Sequence, residues 1–302
     1  MSSESSYYVP ASSKLPIFMA LSLLLFVYGA GYTINDLGKE DSFSHWILIS
    51  SFLLMWGTMF FWFSEVIKEN DKGMYSDQLN TSFVHGMSWF IFSEVMFFFA
   101  FFLALGYVRI FAVPWLGGEG EKGIANILWP GFEASWPLME TPDNERFPGA
   151  HHNMSIPALS KIHTWLPFWN TLCLVTSSGT IALAEAALKK GNRKGFKLWM
   201  VATLTLGYIF VVLQSVEYYE AYAHMGLTLG AGIYGTTFFL MTGFHGFHVC
   251  LGAIILTIMT IRGFRGAFSE HEHFGLAAGS WYWHFVDVCL LYTSPSPRDL
   301  RK

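Results

Sequence analysis

The hydrophobic positions of the chain fall into long unbroken runs, not into strand-like alternation. Seven stretches, residues 15–34, 46–67, 83–108, 163–188, 196–222, 233–261 and 275–292, are apolar almost throughout. A helix rises ~1.5 Å per residue, so about 20 apolar residues cross a hydrocarbon core ~30 Å thick. The runs are too long and too continuously apolar for the strands of a barrel. The predicted fold class is therefore all-α: a polytopic membrane protein with seven transmembrane helices. The seventh run is the shortest, about eighteen residues before the polar segment Thr293-Ser294-Pro295-Ser296-Pro297.

The polar segments between the runs set the orientation. Lys189, Lys190, Arg193, Lys194 and Lys197 lie between the fourth and fifth runs, and Lys14, Lys68, Lys72, Arg262 and Arg265 fall on the same side. The short loops opposite offer Lys39 alone. Basic residues in short loops mark the cytoplasmic face. Residues 1–14 are thus expected to be a cytoplasmic N-terminal segment, and the long loop 109–162 to face outward. That loop is rich in Gly, Pro and Trp (Pro114-Trp115-Leu116-Gly117-Gly118, Trp129-Pro130-Gly131-Phe132, Trp136-Pro137). Such a composition suits either ordered turns at the membrane interface or a plain connector. Residues 68–82 form a second linker, which separates a two-helix group, 15–67, from a five-helix group, 83–292. The abrupt change to Ser, Pro and Arg predicts that the natural sequence stops near Asp287 to Leu290, with 293–302 a non-native tail.

Composition sharpens this picture. Of 302 residues, 53% are hydrophobic, 18% aromatic and 13% charged, where a soluble domain carries about 25% charged residues. The net charge of −4 suggests no basic surface for nucleic acid. Cys173, Cys250 and Cys289 lie far apart inside apolar runs, which suits neither a disulfide framework nor a CxxC metal site. Residues 1–13 lack a basic n-region, so no cleaved signal peptide is expected.

Ionisable residues at bilayer depth then become the candidates, because a charged Asp at a helix centre costs ~2.5–3.5 kcal/mol on insertion scales. Glu94 stands about eleven residues into the third run, as a proton-binding site, a helix-pairing site or a neutral carboxyl bonded to a neighbouring helix. Glu217 and Glu220 share one face at i, i+3 and form a polar stripe with Gln214, which suits an inter-helix network. His245 and His248 repeat that spacing. They could ligate a metal, but Gly243 and Gly246 beside them favour close helix approach, with the imidazoles as inter-helix donors. His284 and Asp287 repeat it again on the seventh run, where an Asp–His contact would lower the cost of both. Glu65 and Lys68 end the second run, where snorkelling is cheap. With Trp62, Arg262 and His273 they suit a rim for anionic lipid headgroups. The chain has no P-loop, nucleophile elbow, HExxH or CxxCH motif.

These residues together resemble the cytochrome c oxidase subunit III family. The likeness rests on FSEVMFF at 92–98, QSVEYYEA at 214–221, YGTTFF at 234–239, TGFHGFHV at 242–249, HFG at 273–275 and WYWHFVDV at 281–288, and it runs from about residue 16 to 288. The long outer loop is similar to that of the bacterial branch. The resemblance implies seven helices in a two-plus-five arrangement around a lipid-filled cleft. It also implies a non-catalytic core subunit of a proton-pumping aa3-type cytochrome c oxidase in the bacterial plasma membrane. That subunit would sit against subunit I, with subunit II in the complex, and sustain proton uptake. Haem a and copper would lie in the partner subunits, none in this chain, and phospholipid would be bound. On that resemblance Glu94 matches the carbodiimide-reactive intramembrane carboxylate and Glu65 the acidic residue ending the second span. Trp62, Arg262 and His273 match lipid-cleft positions. Ser64 departs from the arginine many relatives carry, and the polar end of the seventh run departs too. Three rivals are a quinol oxidase subunit III, which typically lacks the first two spans, an independent proton or ion transporter using Glu94 and the Glu217/Glu220 stripe, and a metalloenzyme built on His245 and His248.

Overall fold

The structure, a computed structural model, describes residues 12–36, 43–152, 159–270 and 273–293. Among them the regular elements are all helical. The long helices are α1 (Leu15–Asn35), α2 (Ser44–Asp71), α3 (Asp77–Tyr107), α5 (Leu166–Lys189), α6 (Arg193–His224), α7 (Gly232–Phe264) and α8 (Phe274–Thr293). A π-turn (Val108–Ala112) carries α3 into the short α4 (Val113–Leu116), and 3-10 helices cover Gly123–Leu128 and Leu159–Thr164.

Each long helix falls on one expected run, and most extend past it at one end or both. α2 continues to Asp71 and α3 begins at Asp77, which leaves five residues, 72–76, between them. A helix satisfies its own backbone whatever its side chains, so its polar ends extend past the apolar run that marks it. Among the described residues six helices are long and apolar enough to cross a membrane: α1, α2, α3 continued through α4 (Gln78–Leu116), α5, α6 and α7. α8 stands where the seventh span was expected but is not one of the six. Its 20 residues include Ser280, Tyr282, Trp283, His284 and Asp287, and all of these but His284 are buried against its neighbours. The tail 294–302 lies outside the described residues; α8 itself is helical through Asp287 and Leu290 to Thr293.

The chain divides into two compact units, residues 1–85 and 86–302, with the division inside α3. In the first unit α1 packs on α2 through small residues. Ser22 and Gly29 are buried on α1, and Ser44, Ser51 and Thr58 on α2, at seven-residue intervals on both helices. A Cβ on Gly29 would lie 3.0 Å from the Leu48 backbone, so glycine sets how closely the helices approach.

In the second unit α5 to α8 close around Trp283, which is 1% exposed. Its indole Nε1 donates to Ser177 Oγ on α5 at 2.8 Å. Its ring lies over Gly207 of α6 and Gly252 of α7, where a Cβ would come within 2.9 Å of it. Leu174, Ile181, Met200, Phe210, Val249, Leu256 and Val286 fill the space around it. The basic turn between α5 and α6 is tight because Gly191 takes φ +70° and the Asn192 side chain caps α6, accepting from Gly195 N at 2.9 Å.

Candidate functional site

α3 reaches α7 and α8 through long side chains. Phe97 and Phe101 meet Phe244 edge-on and tilted, with centroids 5.1 and 5.7 Å apart. Phe98 meets Phe285 at 6.2 Å, and Phe90 stacks on Tyr282 at 6.1 Å. Inside this aromatic sleeve Glu94 Oε2 lies 2.9 Å from His248 Nε2. Phe98 presents its edge to the imidazole at 5.2 Å, and Tyr282 stacks on it at 6.4 Å.

The other nitrogen settles the protonation pattern of the pair. His248 Nδ1 is 2.6 Å from the carbonyl oxygen of Phe244. A carbonyl can only accept, so Nδ1 carries a hydrogen and donates. In the neutral ring Nε2 is then an acceptor, and Glu94 must supply the proton that joins them. If the proton moves across, the pair becomes carboxylate and imidazolium. In both forms the two side chains share one proton and carry no net charge, which lowers the cost of holding a carboxyl among phenylalanines. Of the readings open for Glu94, the carboxyl bonded to a neighbouring helix is the arrangement the structure displays, and the bond is one along which a proton can move.

His245 differs. It is 1% exposed and meets Phe210 of α6 edge-on at 6.0 Å. Among the described residues neither of its ring nitrogens has a hydrogen-bond partner. Both imidazoles were expected to be inter-helix donors; among the described residues His248 makes an inter-helix contact, to Glu94, and His245 makes no hydrogen bond. Among the described residues no three His, Cys, Asp or Glu side chains gather as a metal would require.

The acidic stripe on α6 separates. Glu217 is buried and accepts from Asn170 Nδ2 of α5 at 2.8 Å, whereas Glu220 is exposed. Asn170 was missed in the sequence reading, although a lone Asn in an apolar run is itself a sign of a buried partner. Asp287 is buried near Ser178 and His284. On α2, Lys68 Nζ is 3.5 Å from Glu65 Oε2, both side chains largely exposed, and Trp62 is half-exposed one turn before them. On α7 the Arg262 guanidinium lies 5.5 Å over Phe268. His273 accepts from the amides of Leu276 and Ala277 through its backbone oxygen, at 3.0 and 3.1 Å, and so starts α8. An ammonium and an indole at the end of α2, and a guanidinium at the end of α7, have the chemistry to meet a phosphate headgroup.

Comparison with known proteins adds a family to this geometry. The family model described as cytochrome c oxidase subunit III matches residues 5–127 and 149–294. Cytochrome c oxidase subunit 3 of Oryctolagus cuniculus is 32% identical over 288 residues, covering 95% of this chain and 94% of its own. That of Phoca vitulina is 33% identical over 295 residues with the same coverage. That of Arabidopsis thaliana is 34% identical over 237 residues, 78% of this chain and 75% of its own.

Proposed function

The chain belongs to the cytochrome c oxidase subunit III family, and from that premise we propose that it is the non-catalytic core subunit III of a proton-pumping, aa3-type cytochrome c oxidase. Its partners are subunit I, the main contact, and subunit II. Haem a and copper reside in those partners, and α8 completes seven spans. The observation that carries the reading is the Glu94–His248 pair, a proton-holding contact at the 2.9 Å separation of a hydrogen bond inside an aromatic sleeve. It holds one proton without changing net charge, which suits a subunit that supports proton uptake by a neighbour without itself turning over. His248 has both ring nitrogens engaged, so it has none left to serve as an axial ligand to a metal.

The N-terminus lies in the cytoplasm of a bacterial plasma membrane, a placement supported by the lysine- and arginine-rich turn between α5 and α6. The long outer loop, similar to that of the bacterial branch, supports the bacterial placement. Trp62 and Glu65 on α2 and Arg262 and His273 at the ends of α7 and α8 contact phospholipid.

The test is Glu94→Ala in the assembled complex. The haem spectrum is expected to stay unchanged, while proton uptake per turnover falls. Glu94→Gln, whose amide can still donate to Nε2, should retain the contact to His248 and so the stability, but not the mobile proton. A substantial loss of haem from Glu94→Ala would overturn the supporting role.

A further inference from the structure

The 3-10 helix Gly123–Leu128 in the outer loop turns its polar side inward and its apolar side outward, the reverse of what a water-facing loop requires. Asn126 Nδ2 donates to the Leu116 carbonyl at 2.8 Å and also reaches the carbonyls of Phe132 and Trp129 at 3.3 and 3.4 Å. Ile124, Ile127 and Leu128 are 77, 74 and 74% exposed, more than any other large apolar side chain described. Their spacing, i, i+3 and i+4, gathers them on one side.

The exposure comes from a built turn. Gly118 takes φ +91°. A Cβ on Gly117 would lie 2.7 Å from the Ala134 Cβ, and one on Gly123 2.5 Å from the Gly118 carbonyl. The chain folds back on itself there only because glycines line the turn. The anchor of that turn also locates it. Leu116, whose carbonyl Asn126 holds, is the last residue of the helical stretch Gln78–Leu116, which is long and apolar enough to cross a membrane. The 3-10 helix is therefore fastened to the end of a helix that carries a candidate span. Beside it Lys122 Nζ sits 4.6 Å over the Trp115 ring, a cation paired with an indole, the kind of ring that favours a membrane interface.

We propose that Ile124, Ile127 and Leu128 insert into the headgroup–acyl boundary of the leaflet on the loop's side and anchor the loop to the membrane surface. Lipid is favoured over a protein partner because three side chains fall far short of the about 800 Å² per partner that a stable protein interface buries. An interfacial anchor needs only a small apolar face on a chain already held by spans.

The test places a nitroxide at Ile127→Cys, and separately at Leu128→Cys, in a Cys250→Ser background. The full chain is purified with its native partners and reconstituted into nanodiscs of phosphatidylethanolamine and phosphatidylglycerol. Both positions are fully surface-facing, so the labels should leave the fold intact, and an unaltered optical spectrum of the complex checks this. The expected result is a collision rate with molecular oxygen several-fold above that with a water-soluble nickel chelate, as at the exposed Leu24 of α1. A higher rate with the nickel chelate would place the face in water, and low rates with both would place it under a protein partner. Either result overturns the anchor.

Discussion

The two units hold helices together by different chemistry. In the α1–α2 hairpin the buried positions are small, and their hydroxyls bond within their own helix: Ser22 to Met19 O at 2.9 Å, Ser51 to Leu48 O at 2.9 Å and Thr58 to Leu54 O at 2.8 Å. These hydroxyls are satisfied before the helices meet. What they give the interface is small volume, which lets backbones approach and gain dispersion contacts in a medium where the hydrophobic effect gives none. In the α5–α8 bundle hydroxyls also bond within their own helices, as Thr203 does to Trp199 O at 2.9 Å, but several polar groups bond across helices as well. Thr180 meets Thr203 at 2.8 Å, Tyr208 meets Thr257 at 2.9 Å, Asn170 meets Glu217 and Trp283 meets Ser177. The hairpin is set by closeness, the bundle by a bulky Trp and directed bonds. Directed bonds fix which helix faces which, and that is what a site such as Glu94–His248 needs.

The contrast can be broken most severely at Trp283. Trp283→Ala empties the centre of the bundle and leaves Ser177 without its indole donor. A loss of about 3–5 kcal/mol is expected, read as a lower thermal midpoint of the purified complex and as faster proteolysis of α5 to α8. If the α1–α2 hairpin lost protection equally, the two units would not be held by separate chemistry.

Gly29→Leu comes next. Its Cβ would start 3.0 Å from the Leu48 backbone, so the hairpin must open, at about 1–3 kcal/mol. Amide hydrogen exchange should quicken in α1 and α2 while that of α7 stays as it was. The smallest effects come from the hydroxyls and separate the two regimes most sharply. In a double-mutant cycle, Thr180→Val with Thr203→Val should show coupling of about 0.6 kcal/mol, the ordinary worth of a hydrogen bond between membrane helices. Ser51→Ala, which removes a bond the helix makes to itself and keeps the small volume, should change stability by less than about 0.5 kcal/mol.

The all-helical, membrane-spanning character and the order of the polar sites along the helices were legible in the sequence, because a run of apolar residues long enough to cross a bilayer has few other uses. The helix ends were not, since Asp71 and Asp77 are helical for reasons of backbone bonding that hydropathy does not register. Nor was the difference between His245 and His248. They share a helix and lie three residues apart, yet one ring meets a carboxyl from α3 and the other meets Phe210 of α6. Spacing along one helix says which residues share a side; the facing helix decides which of them finds a partner. The same holds for Glu217 and Glu220, of which only the first turns toward Asn170. α8 was read as one more apolar run, but its buried Ser280, Tyr282 and Asp287 show a helix with polar groups on its inward side.

The measurement that bears most directly on the central claim is the optical spectrum of the complex purified in mild detergent from its native membrane, before and after this chain is stripped away. A supporting subunit predicts that haem a co-purifies with the chain, stays with the larger partner on stripping, and leaves the isolated chain colourless and without stoichiometric metal. A chain that purifies alone, or that keeps haem or metal once isolated, would contradict the account.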